Sequence, residues 1–150
     1  MRAVRSLLLS CALALSLAPV AHAGIASGTL IVTSEQIDTT SKDFEKDLKK
    51  AAKTTVSRSG DIWHLYFVGY LKKAAGGPEV NLVFYDVSAG HEQVNAFPIS
   101  TKPSAKILMS DIELAPEQGF KVGHKYEVRI TKLVGGKEDI LAKATIELVK

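Results

Sequence analysis

Residues 61–71, DIWHLYFVGYL, are the most aromatic stretch of the chain and constrain its fold more than any other segment. Read as a β-strand, the side chains alternate between two faces. Trp63, Leu65, Phe67, Gly69 and Leu71 form one face, apolar throughout. Ile62, His64, Tyr66, Val68 and Tyr70 form the other, too apolar for a wet face and too polar for an ordinary core. A strand of this kind belongs in the middle of a sheet with material on both sides. Its second face is either a binding surface or the seat of another packed element.

The segment Ser41 to Lys53, SKDFEKDLKKAAK, supplies that element. Phe44, Leu48 and Ala52 recur at helical spacing with Ala51 beside them, the remaining positions are charged, and Glu45 precedes Lys49 by one helical turn. Thr40 or Ser41 can cap the N-terminus, with Asp43 in the first turn. The pattern predicts an amphipathic helix of about three turns. Its apolar stripe has to bury, and the strand that follows carries the second face. We therefore expect Phe44, Leu48 and Ala52 to pack on the outer face of 62–71, near Tyr66, Val68 and Tyr70.

The rest of the chain alternates as short strands between turn signals: 28–34, 62–71, 80–87, 93–100, 106–114, 125–133 and 140–149. Pro98 marks 93–100 as an edge. Gly76-Gly77 and Gly135-Gly136 read as hairpin turns, since neither pair has the Lys and following helix of a phosphate loop. The most specific motif is Phe120-Lys121-Val122-Gly123-His124-Lys125-Tyr126, leading into an alternating strand. It resembles the tyrosine corner of fibronectin type III and related immunoglobulin-like domains, in which a Tyr hydroxyl bonds the backbone just upstream where the chain crosses between sheets. The resemblance covers about residues 105–149, rests structurally on Phe120, Gly123 and Tyr126, and carries no functional residue. It implies a mainly β fold, a seven-stranded two-sheet immunoglobulin-like sandwich with one helix inserted between the first two strands.

The first 23 residues stand apart. Arg2 and Arg5 precede an apolar run, Leu7 to Leu17, and Ala21-His22-Ala23 is a small-x-small site before Gly24. This is the pattern of a secretory signal peptide cleaved after Ala23, leaving 24–150 as one domain, periplasmic or extracellular. A lipid anchor at Cys11 is disfavoured, because few apolar residues precede it and cleavage there would leave a second apolar stretch on the product. No later run is long enough for a transmembrane helix. The formal charge of +3 derives largely from the two signal arginines, so neither nucleic acid nor an anionic surface is indicated. Cys11 is the only cysteine, so residues 24–150 hold together without disulfides.

Catalytic and metal signatures are lacking in the sequence. His64, His91 and His124 have no local ligand spacing, no Gly-x-Ser-x-Gly elbow occurs, and the carboxylates show no pairing. We expect no cofactor and no metal. The best surface candidates are aromatic: Tyr66, Tyr70, Tyr85 and His91. They would form one platform only if 62–71 and 80–87 were paired, and a fibronectin-like strand order puts those strands in opposite sheets. The resulting expectation is an exported, non-enzymatic binding module for a protein or glycan partner outside the cytoplasm, monomeric or weakly self-associating. One alternative is a structural subunit of an envelope or surface assembly, paired through 93–100 or 140–149 as the open edge. Another is a hydrolase, which a pocket converging His64 or His91 with carboxylates would favour.

Overall fold

The computed structural model describes residues 24–150, so the expected signal segment, its expected cleavage site and Cys11 lie outside the described residues. The described residues are mainly β, with eight strands, one α-helix and two short 3-10 turns among them. The strands are β1 (Thr29–Thr33), β2 (Thr55–Ser57), β3 (Trp63–Tyr70), β4 (Glu79–Asp86), β5 (Glu92–Ser100), β6 (Ile107–Leu114), β7 (Lys125–Val134) and β8 (Lys137–Val149). The helix, α1 (Phe44–Ala51), falls between β1 and β2. Seven strands follow the predicted segments closely. The eighth, β2, was not anticipated: it is three residues long, and only Val56 of it is buried.

The strand order is β5-β4-β7-β8-β1-β3-β6, a sheet folded over on itself until nearly closed, with β2 added in parallel along β8. The β1–β8 link is a single parallel pair, Thr29 with Lys143, so β1-β3-β6 and β5-β4-β7-β8 behave as two layers hinged there. Strands β3 and β4 lie in opposite layers. The loop with Gly76 and Gly77 is therefore a crossover rather than the expected hairpin. Gly135 and Gly136 do form a two-residue hairpin, both with positive φ, between the paired Val134 and Lys137.

Between the layers lies one core. Trp63, Leu65 and Phe67 enter it from β3 and Leu71 from just beyond its end, meeting Leu82, Phe84, Val128, Ile130, Ile146 and Leu148. The layers close tightly at Gly69, where any Cβ would overlap the Ile130 side chain. Trp63 is fully buried, and its indole N–H donates to the Val149 carbonyl at 2.7 Å, tying β3 to the far layer. At the corner, the Tyr126 hydroxyl accepts the Lys121 N–H at 2.8 Å. Phe120 packs edge-on to Tyr126. Gly123 has φ +78°, and its N–H donates to the Leu148 carbonyl, pinning the crossing to β8. Burial, ahead of any charge effect, raises the Tyr126 pKa.

The helix covers the second face of β3. Leu48 is fully buried and joins Ile31, Val68 and Tyr70 in a small second core, with Ile25, Ile37 and Phe44 packed against it. Burying a Leu and most of a Phe there stabilises by about 1.5–3 kcal/mol each. Two details differ from expectation. The helix has eight residues, and Ala52 is exposed beyond its end with an extended backbone. The chain leaves the helix there because Lys53 N–H donates to the Val32 carbonyl at 2.8 Å, rejoining the sheet before β2. The N-terminus also lacks a side-chain cap: the Ser41 hydroxyl accepts the Asp43 N–H just ahead of the first turn, and Thr40 is engaged by Asp38.

Candidate functional site

The two outer faces of the sandwich carry the four aromatic candidates, and they are far from equivalent. Tyr85 and His91 stand on the β4-β7 layer, Tyr66 and Tyr70 on the β3 layer. Tyr70 is removed from the surface altogether: it is buried beneath the helix, and burial followed by the nearby Glu45 carboxylate raises its pKa. The four do not form one platform.

On the β4-β7 face, the pattern of odd-numbered outward residues brings Tyr85, Glu127 and Arg129 together. The Arg129 guanidinium lies over the Tyr85 ring, 4.2 Å from its centroid, and bonds Glu127, Glu138 and His91. The Tyr85 hydroxyl donates to Glu138 at 3.1 Å, and the His91 ring stacks on Tyr85. Burial alone would raise the Glu127 carboxyl, but hydrogen bonds and charges from Arg129 and Lys143 outweigh it and hold the pKa below the usual carboxylate range. Burial and the Glu138 bond raise the Tyr85 pKa. His91 adopts φ +62° directly after Gly90, closing the β4–β5 turn with its N–H on the Asp86 carbonyl. Tyr85, His91, Glu127, Arg129 and Glu138 thus each contact another member of the cluster.

The β3-β6 face is different. Register pairs His64 with Glu113, Tyr66 with Asp111, Val68 with Met109 and Tyr70 with Ile107. The helix covers the Tyr70 end and stops short of Tyr66. A groove of about 420 Å³ opens in the remaining space, between the loop after β1 and the outer faces of β3 and β6. Ile37, Phe44 and Val68 give it apolar walls; Thr39, Tyr66, Met109 and Asp111 line its outer part. The His64 ring stacks against Tyr66 with centroids 4.7 Å apart, and His64 Nε2 lies 3.1 Å from an Asp111 carboxylate oxygen. Tyr66 is thus braced from one side and lines the groove on the other.

Histidines meet carboxylates at three places: His64 with Asp111, His91 with Glu127, and His124 with the buried Asp86. Only the first borders the groove. The nearby Ser110 hydroxyl is directed at the Asp111 carbonyl, and Ser88, beside Asp86, accepts the Lys125 N–H instead of meeting His124. These histidine–carboxylate contacts escaped sequence reading because each joins residues from separate strands or loops. Among the described residues no three His, Cys, Asp or Glu side chains come together as a metal-binding group, and no helix is long and apolar enough to cross a membrane.

The open edges complete the description. Strand β8 is paired on both sides, so 140–149 is not the open edge that the assembly alternative invoked. Strand β5 is a free edge and contains Pro98, as expected. The other free edge is β6, which the sequence reading did not single out. No family model matches the chain, and no curated protein or solved structure is found to be similar to it.

Proposed function

We propose that this protein is an exported, non-enzymatic binding module of immunoglobulin-like architecture, whose contact surface is the groove beside α1 on the β3-β6 face. The observation that carries the reading is the contrast between the two outer faces. One ties its charged groups together around Arg129; the other, where His64 holds one Asp111 oxygen, leaves Tyr66, Met109 and Asp111 lining an open groove, with Met109 49% exposed. The architecture is supported by the tyrosine-corner geometry and the strand order. Export rests on the signal pattern before Gly24. The partner lies outside the cytoplasm, and the module is monomeric or weakly self-associating. A hydrolytic role would need a nucleophile aligned with His64, and the neighbouring Ser110 hydroxyl is turned to a backbone carbonyl instead.

The test is affinity capture from envelope extract and medium with the processed chain, residues 24–150, against the same chain carrying Tyr66→Asp and Met109→Asp. Partners held by the first and lost by the folded variant are expected. Equal capture by both, or none by either, would overturn the reading.

A further inference from the structure

The groove ends at a strand with no paired neighbour on its outer side among the described residues. Among the described residues β6 pairs only with β3, along its whole length from Ile107 to Leu114. Free edges in soluble proteins are normally blunted, because a row of unpaired N–H and C=O groups is a template for another strand. The β5 edge is blunted by Pro98. Strand β6 contains no Pro and no Gly, is regular in register, and exposes apolar side chains on its outer face: Ile107 at 47% and Met109 at 49%. Next along the same face come Asp111, its side chain 59% exposed, and Glu113, also exposed. The edge therefore presents an apolar half and an acidic half.

We infer that β6 binds an extended peptide segment of a partner protein by strand addition, the segment carrying apolar side chains opposite Ile107 and Met109 and basic ones opposite Asp111 and Glu113. The inference rests on the binding-module reading and names its ligand. Main-chain bonds to β6 would provide affinity, and alternate side chains would provide selectivity. The side chain opposite Met109 stands on the groove's face and meets it at the Met109–Asp111 wall, so edge and groove form one site. A second copy of this chain fits less well. A two-fold pairing of β6 with itself is antiparallel, and each register that overlaps most of the strand sets Asp111 or Glu113 against Met109, Ile107 or another carboxylate. A strand with lysines at those positions relieves both conflicts.

The probe is a blocked peptide, Thr-Lys-Thr-Lys-Thr-Phe-Thr-Val-Thr, whose alternate residues match β6 in the antiparallel sense. Amide shifts of nitrogen-labelled residues 24–150 are followed by NMR during titration. The expected result is saturable shifts along 107–114 together with Thr39 and Tyr66. Binding should weaken about tenfold for Asp111→Lys, recover when the peptide lysine opposite position 111 alone becomes glutamate against that variant, and vanish when the Lys, Phe and Val amides of the peptide are N-methylated, because Lys106 bonds Leu71 on the β3 side and the odd-numbered β6 residues face the open edge. Shifts confined to the groove residues would overturn strand addition while leaving the binding-module reading standing. Concentration-dependent shifts along 107–114 without peptide, with a dimer by light scattering, would overturn it in favour of self-pairing. No shift at millimolar peptide would overturn the peptide specificity, and capture of partners that tolerates Tyr66→Asp and Met109→Asp would separately remove the underlying reading.

Discussion

The two outer faces of this sandwich begin from the same sequence grammar, an alternating strand with a tyrosine in its outward row, and end in opposite states. Around Tyr85 the outward row also contains Arg129 and Glu127, and the β7–β8 hairpin brings Glu138 to them. Arginine then satisfies ring, carboxylates and imidazole at once, so that face is closed by its own charges. Around Tyr66 the outward row contains Val68, Tyr70 and Met109, a largely apolar stretch. That face is closed by a helix instead, and a helix of eight residues is too short to cover the whole strand. The uncovered remainder is the groove. A polar network closes a face by matching atoms, whereas a lid closes it only as far as the lid extends.

The comparison fails at its root if the helix is not a packed lid. Leu48 is its fully buried anchor, so Leu48→Ala should cost about 2–5 kcal/mol in chemical denaturation. Hydrogen exchange should show the amides of 44–51 opening well before those of β3 in that variant. A loss under about 0.5 kcal/mol, or rapid exchange of 44–51 in the unaltered protein, would show the helix to be loosely attached.

On the other face the corresponding anchor is Arg129. Its replacement by Ala leaves Glu138 partly buried without its cation and Glu127 with only the more distant Lys143, at a cost of about 1–3 kcal/mol near neutral pH. The pH dependence sharpens the test. The folded Glu127 pKa lies below its unfolded value, so the unfolded state binds more protons there. The stabilisation is complete above the unfolded carboxylate pKa of about 4.3 and is lost as pH falls through the folded value. In Arg129→Ala, burial remains without its main opponent, and the slope of stability between about pH 3 and 5 should flatten. An unchanged slope would mean that the carboxylate is held by something other than Arg129.

A third substitution separates both faces from the core between them. Tyr126→Phe removes the hydroxyl that accepts the Lys121 N–H and should cost about 1–2 kcal/mol, visible as a lower denaturation midpoint with an unchanged slope in denaturant. Neither the Glu127 acid titration nor exchange in 44–51 should move. If either did, the outer faces would be coupled through the corner and could not be treated as independent.

How legible each part was in the sequence follows from the range of the interactions. Strand positions, the corner and the burial of the second face of 62–71 follow from periodicity and short spacings, which are local. The helix was overextended because Ala51 and Ala52 continue the stripe, while the event that ends it, Lys53 bonding the Val32 carbonyl, joins segments that are distant in sequence. Strand β2 was missed because a single buried Val56 between polar neighbours gives no periodic signal. The site was legible only in its members. Tyr66 could be named from its face, but His64 bracing it, Asp111 across the sheet and the free edge of β6 all depend on which strands pair. Tyr70 was named both as a surface candidate and as part of the face expected under the helix, and it lies under the helix with Leu48.

The smallest stability effect carries the sharpest functional contrast. Tyr66 is half-buried, leans on His64 and has no hydrogen bond among the described contacts, so Tyr66→Ala should change stability by at most about 1 kcal/mol. Removing its ring widens the groove and takes away its braced aromatic wall, so peptide binding should fall by more than the fold does. The equivalent change on the closed face, Tyr85→Ala, removes the ring beneath Arg129 and a hydroxyl bonded to Glu138. That variant should lose more stability and leave peptide binding intact. Parallel denaturation and titration of the two variants check this crossing pattern. If Tyr66→Ala proves the more destabilising of the pair, Tyr66 serves the fold, and the groove it borders is a by-product of a short helix.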